Sequence, residues 1–392
     1  MDIRNKNICF ACAFAAPYGG NFIRMCISLA ERLVSEYGCK VYFIFPKQPD
    51  KDWLIELKNR YTVSFTTLPY DKCEDEIYGI INQWHIDLVH THFDVYDVPV
   101  AKAVKKIARP IQMVWHLHDY LSLDKTGLSL PWVRKFFTNQ RLYNQYGKWG
   151  RQAYFIGVSA EVTNIAAHYR NHRFSYPVNR SCEELSRMTF PNASVIINGI
   201  DLERLKVEEG HLQPEERLFT FLTFGGEAVS KGVLTIFSAA EILHNEGLKF
   251  KIKITNGYTT ESVVSARYGN EIPQWLEVIS QTDNVVSIFG KCDCYISASL
   301  KETMSMAIAE ASIYGLPVIQ SDIPGTWWNS RNPSTFIFKK NNAVDLALKM
   351  KSLMEFDSRQ LKDRCYKTSK SNRRLLSMDS WVDKIMWVYK NI

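Results

Sequence analysis

Apolar and polar positions follow two rhythms along this chain. Apolar runs of strand length recur at 8–14, 41–45, 63–68, 86–92, 111–119 and 153–159. Between them, apolar residues fall three and four apart, the spacing of amphipathic helices, at 21–37, 54–61, 74–83, 98–108 and 161–169. In the first helix Phe22, Met25, Cys26, Leu29 and Leu33 mark one face, with Asn21 placed to cap its start and Gly38 to stop it. The rhythm restarts after 202–217, a charged stretch with Gly210 and Pro214. Strands are then predicted at 218–224, 250–255, 294–298, 317–320 and 336–338, and helices at 232–245, 285–291, 304–314, 343–356 and 378–392. Residues 171–194 read as a polar, irregular insertion, and 269–276 shows no clear element. Strands alternating with helices predict an open parallel sheet, here twice over.

Length and composition change this picture little. A chain of 392 residues suits two domains, and 46% hydrophobic with 23% charged residues is ordinary globular composition. No run approaches the roughly 20 apolar residues of a membrane-spanning helix. A net charge of +7 favours anionic partners such as nucleotides or an anionic membrane surface. Residues 1–17 combine basic, apolar and small residues and could pass for a leader peptide, but the Gly-Gly turn and helix that follow favour a first strand. Nine scattered cysteines suggest a reducing, cytoplasmic setting. Cys9 and Cys12 have zinc-like spacing, yet no second pair is near and a strand would point them to opposite faces, so no metal is expected.

Candidate chemistry concentrates at 291–326. An apolar strand leads into the polar turn Ser299-Leu300-Lys301-Glu302-Thr303, then an Ala-rich helix stopped by Gly315 and Pro317. Glu302 at the helix entrance and Glu310 inside it are eight residues apart, roughly 12 Å if both lie along one helix axis. Two carboxylates with helix amides between them would suit a nucleotide-sugar, which has hydroxyls at both ends and a diphosphate in the middle. A capped helix with two solvated glutamates is the alternative. Other chemistry-bearing residues end strands, where open α/β sheets bind ligands. These are His92, His116 and His118, with His116 placed on the face opposite His118. Residues 131–151 carry Arg134, Lys135, Arg141, Lys148 and Arg151 among Trp132, Phe136, Phe137, Tyr143, Tyr146 and Trp149, with no acidic residue. They read either as a membrane-surface helix or as one whose aromatics pack on the sheet.

The pattern Glu302-x7-Glu310-Ala311, then Gly315-x-Pro317-Val318-Ile319 and Asp322-x-x-Gly325, resembles the signature of retaining GT-B glycosyltransferases, in particular glycosyltransferase family four, or "group 1". Gly19-Gly20, His118-Asp119, Val158-Ser159, Asn198-Gly199-x-Asp201, Lys231-Gly232 and Asp293 match further steps in the same order. The resemblance implies the GT-B fold: two Rossmann-like domains facing a central cleft, with a C-terminal helix crossing back to the first domain. It sets an acceptor-side domain at 1–201, a linker at 202–217, a nucleotide-sugar domain at 218–375 and the crossing helix at 376–392.

It also implies roles. His118, beside the donor sugar, and Glu302, on its hydroxyls, take the catalytic positions. Gly19, Gly20, Gly225, Lys231 and the backbone of Thr303, Met304, Ser305 and Met306 lie along the donor and its diphosphate, and Glu310 binds the ribose. Asn256, Gly257 and Tyr258 lie on the nucleobase side. No metal and no resident cofactor are implied, because the nucleotide-sugar, a UDP-sugar first of all, is a substrate. The implied activity moves a hexose-type sugar to a glycan or lipid-linked acceptor, in cell-surface polysaccharide or capsule synthesis. The implied location is the cytoplasm, at the inner face of the membrane through residues 131–151, with no nucleic-acid partner. An epimerase acting on a nucleotide-sugar, or a non-catalytic GT-B subunit supporting a partner transferase, are the other readings. The chain departs from the pattern at Gly226, where the family's diphosphate-binding Arg falls, and at Thr303-Met304-Ser305, where Gly-Phe-Gly is common. Arg24, Arg267 or a helix amide are the candidate substitutes for that Arg.

Overall fold

Six of the apolar runs, joined by the short segment 193–195 at the end of the expected insertion, gather into one sheet in the computed structural model of the chain, which describes residues 2–119, 131–172, 181–206, 217–282 and 284–392. The strands are β1 (Asn7–Cys12), β2 (Lys40–Pro46), β3 (Thr62–Thr66), β4 (Leu88–His92), β5 (Gln112–Leu117), β6 (Tyr154–Gly157) and β7 (Ala193–Val195). Their order is β3-β2-β1-β4-β5-β6-β7, with every pairing parallel. Such strands are covered on both faces, so they read as near-continuous apolar runs. In β1, Ile8, Phe10 and Cys12 enter one core and Cys9 and Ala11 the other. Cys9 and Cys12 therefore do point apart, and β1 is an inner strand of a folded sheet.

The chain divides into two compact units, residues 1–199 with 378–392, and residues 200–377. The C-terminal helix Met378–Asn391 belongs to the first unit, where Trp381, Val382, Ile385, Met386, Val388 and Tyr389 join the core built on helix Gly20–Tyr37. That helix starts at Gly20 with Gly19 as its cap residue, so Asn21 lies inside it and is buried rather than capping. Gly38, at φ 65°, ends it in the left-handed conformation that glycine tolerates.

Segment 131–151 divides into a helix, Pro131–Leu142, a wider-pitched turn, Tyr143–Trp149, and a 3-10 turn, Gly150–Gln152. Leu142 and Tyr146 are buried, while Phe136 and Phe137 are each about half exposed. The packing reading of this segment thus holds for Leu142 and Tyr146, with Tyr143 and Trp149 packed against the same core. The side chains of Trp132 and Arg134 lie outside the described residues, as do 207–216 of the expected linker and 173–180 of the expected insertion. Among the described residues no helix is long and apolar enough to cross a membrane.

The second unit carries a six-stranded sheet of β8 (Phe219–Phe224), β9 (Phe250–Thr255), β10 (Leu276–Ile279), β11 (Cys294–Ser297), β12 (Val318–Ser321) and β13 (Thr335–Phe338). The order is β10-β9-β8-β11-β12-β13, again all parallel. Each sheet reverses its strand order beside its first strand, between β1 and β4 and between β8 and β11. The loops at the carboxyl ends of those strands diverge there and leave a crevice suited to a ligand.

Candidate functional site

In the second unit the loops after β8, β9 and β11 converge beside that reversal. The contact is close because glycines form it. A Cβ on Gly225 would lie 2.1 Å from Thr260 Oγ1, and one on Gly257 only 2.2 Å from the backbone nitrogen of Gly226. Gly232 has φ +68° and would meet the carbonyl oxygen of Ala298 at 2.0 Å. The backbone N–H of Leu300 donates to the carbonyl of Ser230 at 2.8 Å and joins the β11 loop to the residue before Lys231.

This seam brings Lys231 to Glu302. The ammonium donates to Glu302 Oε1 at 2.5 Å, and the hydroxyl of Ser299 donates to the same oxygen at 2.8 Å. The carboxylate is nearly buried and the lysine about one-third exposed. A lysine just before the helix Val233–Asn245 opposes its dipole. The anion that compensates it is the carboxylate of Glu302. Gly226, with φ +57°, occupies the place of the expected Arg, and a side chain there would be strained. Of the candidate substitutes, Arg267 is held by a two-pronged pair with Glu241, and Arg24 stands 3.9 Å from Glu56 in the first unit.

The two glutamates do not share a helix. The helix begins at Met306, capped by Ser305, whose Oγ accepts from the N–H of Ile308, so Thr303 and Met304 precede it. Glu302 lies in the turn before it and Glu310 in its middle, so the 12 Å axial estimate does not apply. Buried Tyr295 on β11 relates them: burial first, then the charges of Glu302 and Glu310, push its phenol pKa up. Glu310 is nearly buried and stands 3.8 Å from Arg204, in the 3-10 turn Leu202–Leu205. Sequence reasoning missed Arg204 because it falls where the charged stretch reads as linker. It passed over Ser299 and Tyr295 because a serine in a turn and a tyrosine in a strand carry no signal of their own.

The Asp322-x-Pro324-Gly325 turn fixes Glu302 from below. A Cβ on Gly325 would lie 1.8 Å from the carbonyl oxygen of Glu302, and Ser321 Oγ donates to the carbonyl of Ser299 at 2.7 Å. Gly325→Ala is therefore expected to push the Glu302 turn away, destabilising the fold by about 1–3 kcal/mol and lowering activity. Urea unfolding and turnover on one preparation check both, and a variant with both unchanged would show that the turn is not held this way.

On the nucleobase side, Asn256 donates to Glu261 and accepts from the N–H of Gly257, so its amide is spent on its own loop. Tyr258 is 96% exposed. Asp293 lies at the other end of the sheet, where it accepts from Arg217 and the N–H of Thr220. It anchors strands there rather than reaching the loop seam.

In the first unit Gly19 packs against Trp53 and Ile23, while Gly20, at φ +53°, has open space where a side chain would go. His118 follows β5. Its Nε2 lies 3.0 Å from Nδ1 of His92, and its ring stacks on His116 at 4.2 Å between centroids. His116 thus shares a face with His118, contrary to expectation, because residues two apart on a strand point the same way. His90 bonds His116 at 3.2 Å and the hydroxyl of Tyr389 at 2.5 Å. Burial holds all four imidazoles neutral: it pushes His118 down to about 3 and His90, His92 and His116 well below the usual histidine value.

Residues 219–355 match the family model for glycosyl transferases group 1. The matched segment contains Gly225, Lys231, Glu302 and Glu310, so the resemblance to group 1 glycosyltransferases is borne out. No curated protein sequence matches the chain. A glycosyltransferase from Rickettsia africae superposes with a TM-score of 0.71 at 17% identity, covering 99% of this chain and 98% of that one. HepE from Anabaena, solved with UDP and glucose, gives 0.71 at 14% identity over 98% and 99%. Sucrose-phosphate synthase from Thermosynechococcus elongatus gives 0.73 at 14% over 98% of each chain. The fold is the GT-B fold of two Rossmann-like parallel sheets.

Proposed function

We propose that the protein is a retaining glycosyltransferase that moves a hexose-type sugar from a UDP-sugar to a glycan or lipid-linked acceptor, in cell-surface polysaccharide or glycoconjugate synthesis. The observation that carries this reading is the Lys231–Glu302 pair, held by glycine-lined loops where the second sheet reverses its strand order. A UDP-sugar offers each group a further partner: a diphosphate for the ammonium and hydroxyls for the carboxylate. Lys231 and the backbone of Thr303, Met304, Ser305 and Met306, with Gly225 beside them, stabilise the departing diphosphate, which is electrostatic work. Glu302 holds the sugar hydroxyls, Glu310 the ribose, and Asn256, Gly257 and Tyr258 flank the base. For His118 the resemblance implies a place beside the donor sugar, and for Gly19-Gly20 one by the donor phosphates and the acceptor. The acceptor attacks the face that the diphosphate leaves, assisted by the leaving phosphate, so no protein nucleophile and no resident cofactor enter. That HepE was solved with UDP-glucose supports the choice of donor. The protein works in the cytoplasm at the inner face of the membrane, where Lys135 and the exposed Phe136 and Phe137 meet lipid.

A panel of nucleotide-sugars tests the reading. One UDP-sugar is expected to release UDP slowly alone and faster with acceptor. The left-handed Gly226 in place of the family's Arg favours a second reading, a subunit that supports a partner transferase. Failure of every donor to release nucleoside diphosphate, with and without acceptor, would establish that reading, and a new isomer from donor alone would mean an epimerase.

A further inference from the structure

Four histidines from two adjacent strands lie together in the first unit, and the proposed function uses only His118. His92 is its immediate partner, with Nδ1 3.0 Å from His118 Nε2. Both rings are neutral, so one proton is shared between those nitrogens and its owner decides what His118 presents to a ligand. If His118 donated from Nε2, His92 would carry its own proton on Nε2. That atom is buried with no hydrogen-bond partner among the described residues. A buried orphan N–H is the rarer and costlier arrangement.

The surroundings of His92 favour the opposite assignment. Cys12 pairs with His92 across β1 and β4, and the sulfurs of Cys12 and Cys26 lie within 4.8 Å of a ring nitrogen of His92. With Nδ1 engaged by His118, the nitrogen left to the thiols is Nε2. Burial raises the Cys12 pKa well above its ordinary value, so that group stays a thiol. A thiol offers an N–H no good acceptor, and the Cys12 thiol is hydrogen-bonded to Cys26, so a bare Nε2 is the better tolerated form there. His92 then donates from Nδ1, and His118 must carry its proton on Nδ1.

We propose that His92 is a positioning residue that locks His118 in the Nδ1–H tautomer, so that His118 offers a hydrogen-bond donor, not a base, to a hydroxyl oxygen of the substrate. The stacked ring of His116 and the His90–Tyr389 bond hold the pair in place. This rests on the proposed role of His118 at the sugar, but the tautomer itself does not. A donor at this position suits a transferase that uses no protein base on the sugar.

Nitrogen-15 spectra of histidine-labelled full-length protein read the tautomer without substrate, with the His118 signals assigned by their loss in His118→Gln. His118 is expected to show a protonated Nδ1 and a bare Nε2 from pH 6 to 8. His92→Phe keeps a ring without a donor and lets the Nε2–H form appear. His92→Asn, whose amide replaces the Nδ1–H, restores the original form, while His92→Gln, whose amide reaches toward the other nitrogen, does not. With a donor that turns over, His92→Phe and His92→Gln lower kcat roughly tenfold with little change in KM, and His92→Asn recovers most of it. A protonated His118 Nε2 in the unaltered chain, or His118 signals unchanged in both His92→Phe and His92→Gln, overturns the proposal. If no donor turns over in any form while the spectra give the expected tautomer, the functional reading fails and the positioning role at the ring stands.

Discussion

Glu302→Ala and Lys231→Ala should each lower donor turnover more than about tenfold, while the double variant loses far less than the product of the two. The two side chains form one ion pair, so removing either disables what the other does. Without Lys231, the nearly buried Glu302 loses its ammonium partner and meets the charge of an incoming diphosphate with the Ser299 hydroxyl still bonded to it. Without Glu302, the ammonium stays available to phosphate but the sugar loses its acceptor. The KM for donor should therefore rise more in Lys231→Ala, and kcat should fall more in Glu302→Ala. Stability should hardly move, because a pair whose lysine is about one-third exposed contributes little net free energy. Steady-state kinetics across the four forms decide this. Unchanged turnover in Glu302→Ala would remove the site assignment, and strict multiplicativity would separate the two residues.

How far the sequence could foresee this site depends on what each residue shows by itself. Lys231, Glu302 and Glu310 stand out by position in a pattern, and the loops after β8 and β11 bring the first two together. Arg204 and Ser299 gain meaning only once β11 and the 3-10 turn Leu202–Leu205 are placed. The glutamate spacing misled because eight residues measure a distance only inside one helix, and the helix starts four residues after Glu302.

The alternation of strands and helices was legible because parallel strands covered on both faces must be apolar throughout. Edge strand β10, Leu276–Ile279, escaped because it is short, with Glu277 inside it and only Leu276 buried. Helix Ser358–Leu376 escaped for a different reason. Its buried stripe runs through Cys365, Thr368, Asn372 and Leu376 and is half polar, with the two polar residues at its centre. Hydrogen bonds satisfy it: Thr368 bonds Ser334, and Asn372 bonds Ser312 and Asn329. A buried face made of hydrogen-bonded polar groups leaves no hydrophobic period to detect. The histidine cluster was half visible: three of its rings end strands in the sequence, but their contacts depend on the register that pairs Cys12 with His92 and His92 with His116.

Acidification from pH 7.5 to 5.5 is expected to lower the unfolding free energy of the first unit by roughly 3–5 kcal/mol. The folded pKa values of His90, His92, His116 and His118 all lie below the unfolded value of about 6.5. Their contribution is complete above that value and is lost as pH falls, because the unfolded chain takes up protons that the buried cluster refuses. Each histidine is worth about 1.4 kcal/mol per pH unit once below it. Asp97 opposes them. Burial raises its folded pKa, so the native state holds a proton that the unfolded chain gives up, and its contribution improves on acidification. Asp119 opposes in the same direction, raised by burial and then by the charge of Asp94. Carboxylates with lowered folded pKa, such as Glu74 and Glu241, lose their contribution only below about pH 4.5, outside this window. Two to four protons therefore separate the states at pH 5.5. Urea unfolding at pH 7.5, 6.5 and 5.5, with hydrogen exchange on the amides of β4 and β5, measures the slope. His116→Phe, which removes one refused proton, should flatten it by about one histidine's worth. Equal unfolding free energies at pH 7.5 and 5.5 would mean that the cluster is not held neutral, and a neutral cluster is what lets His92 and His118 share a single proton.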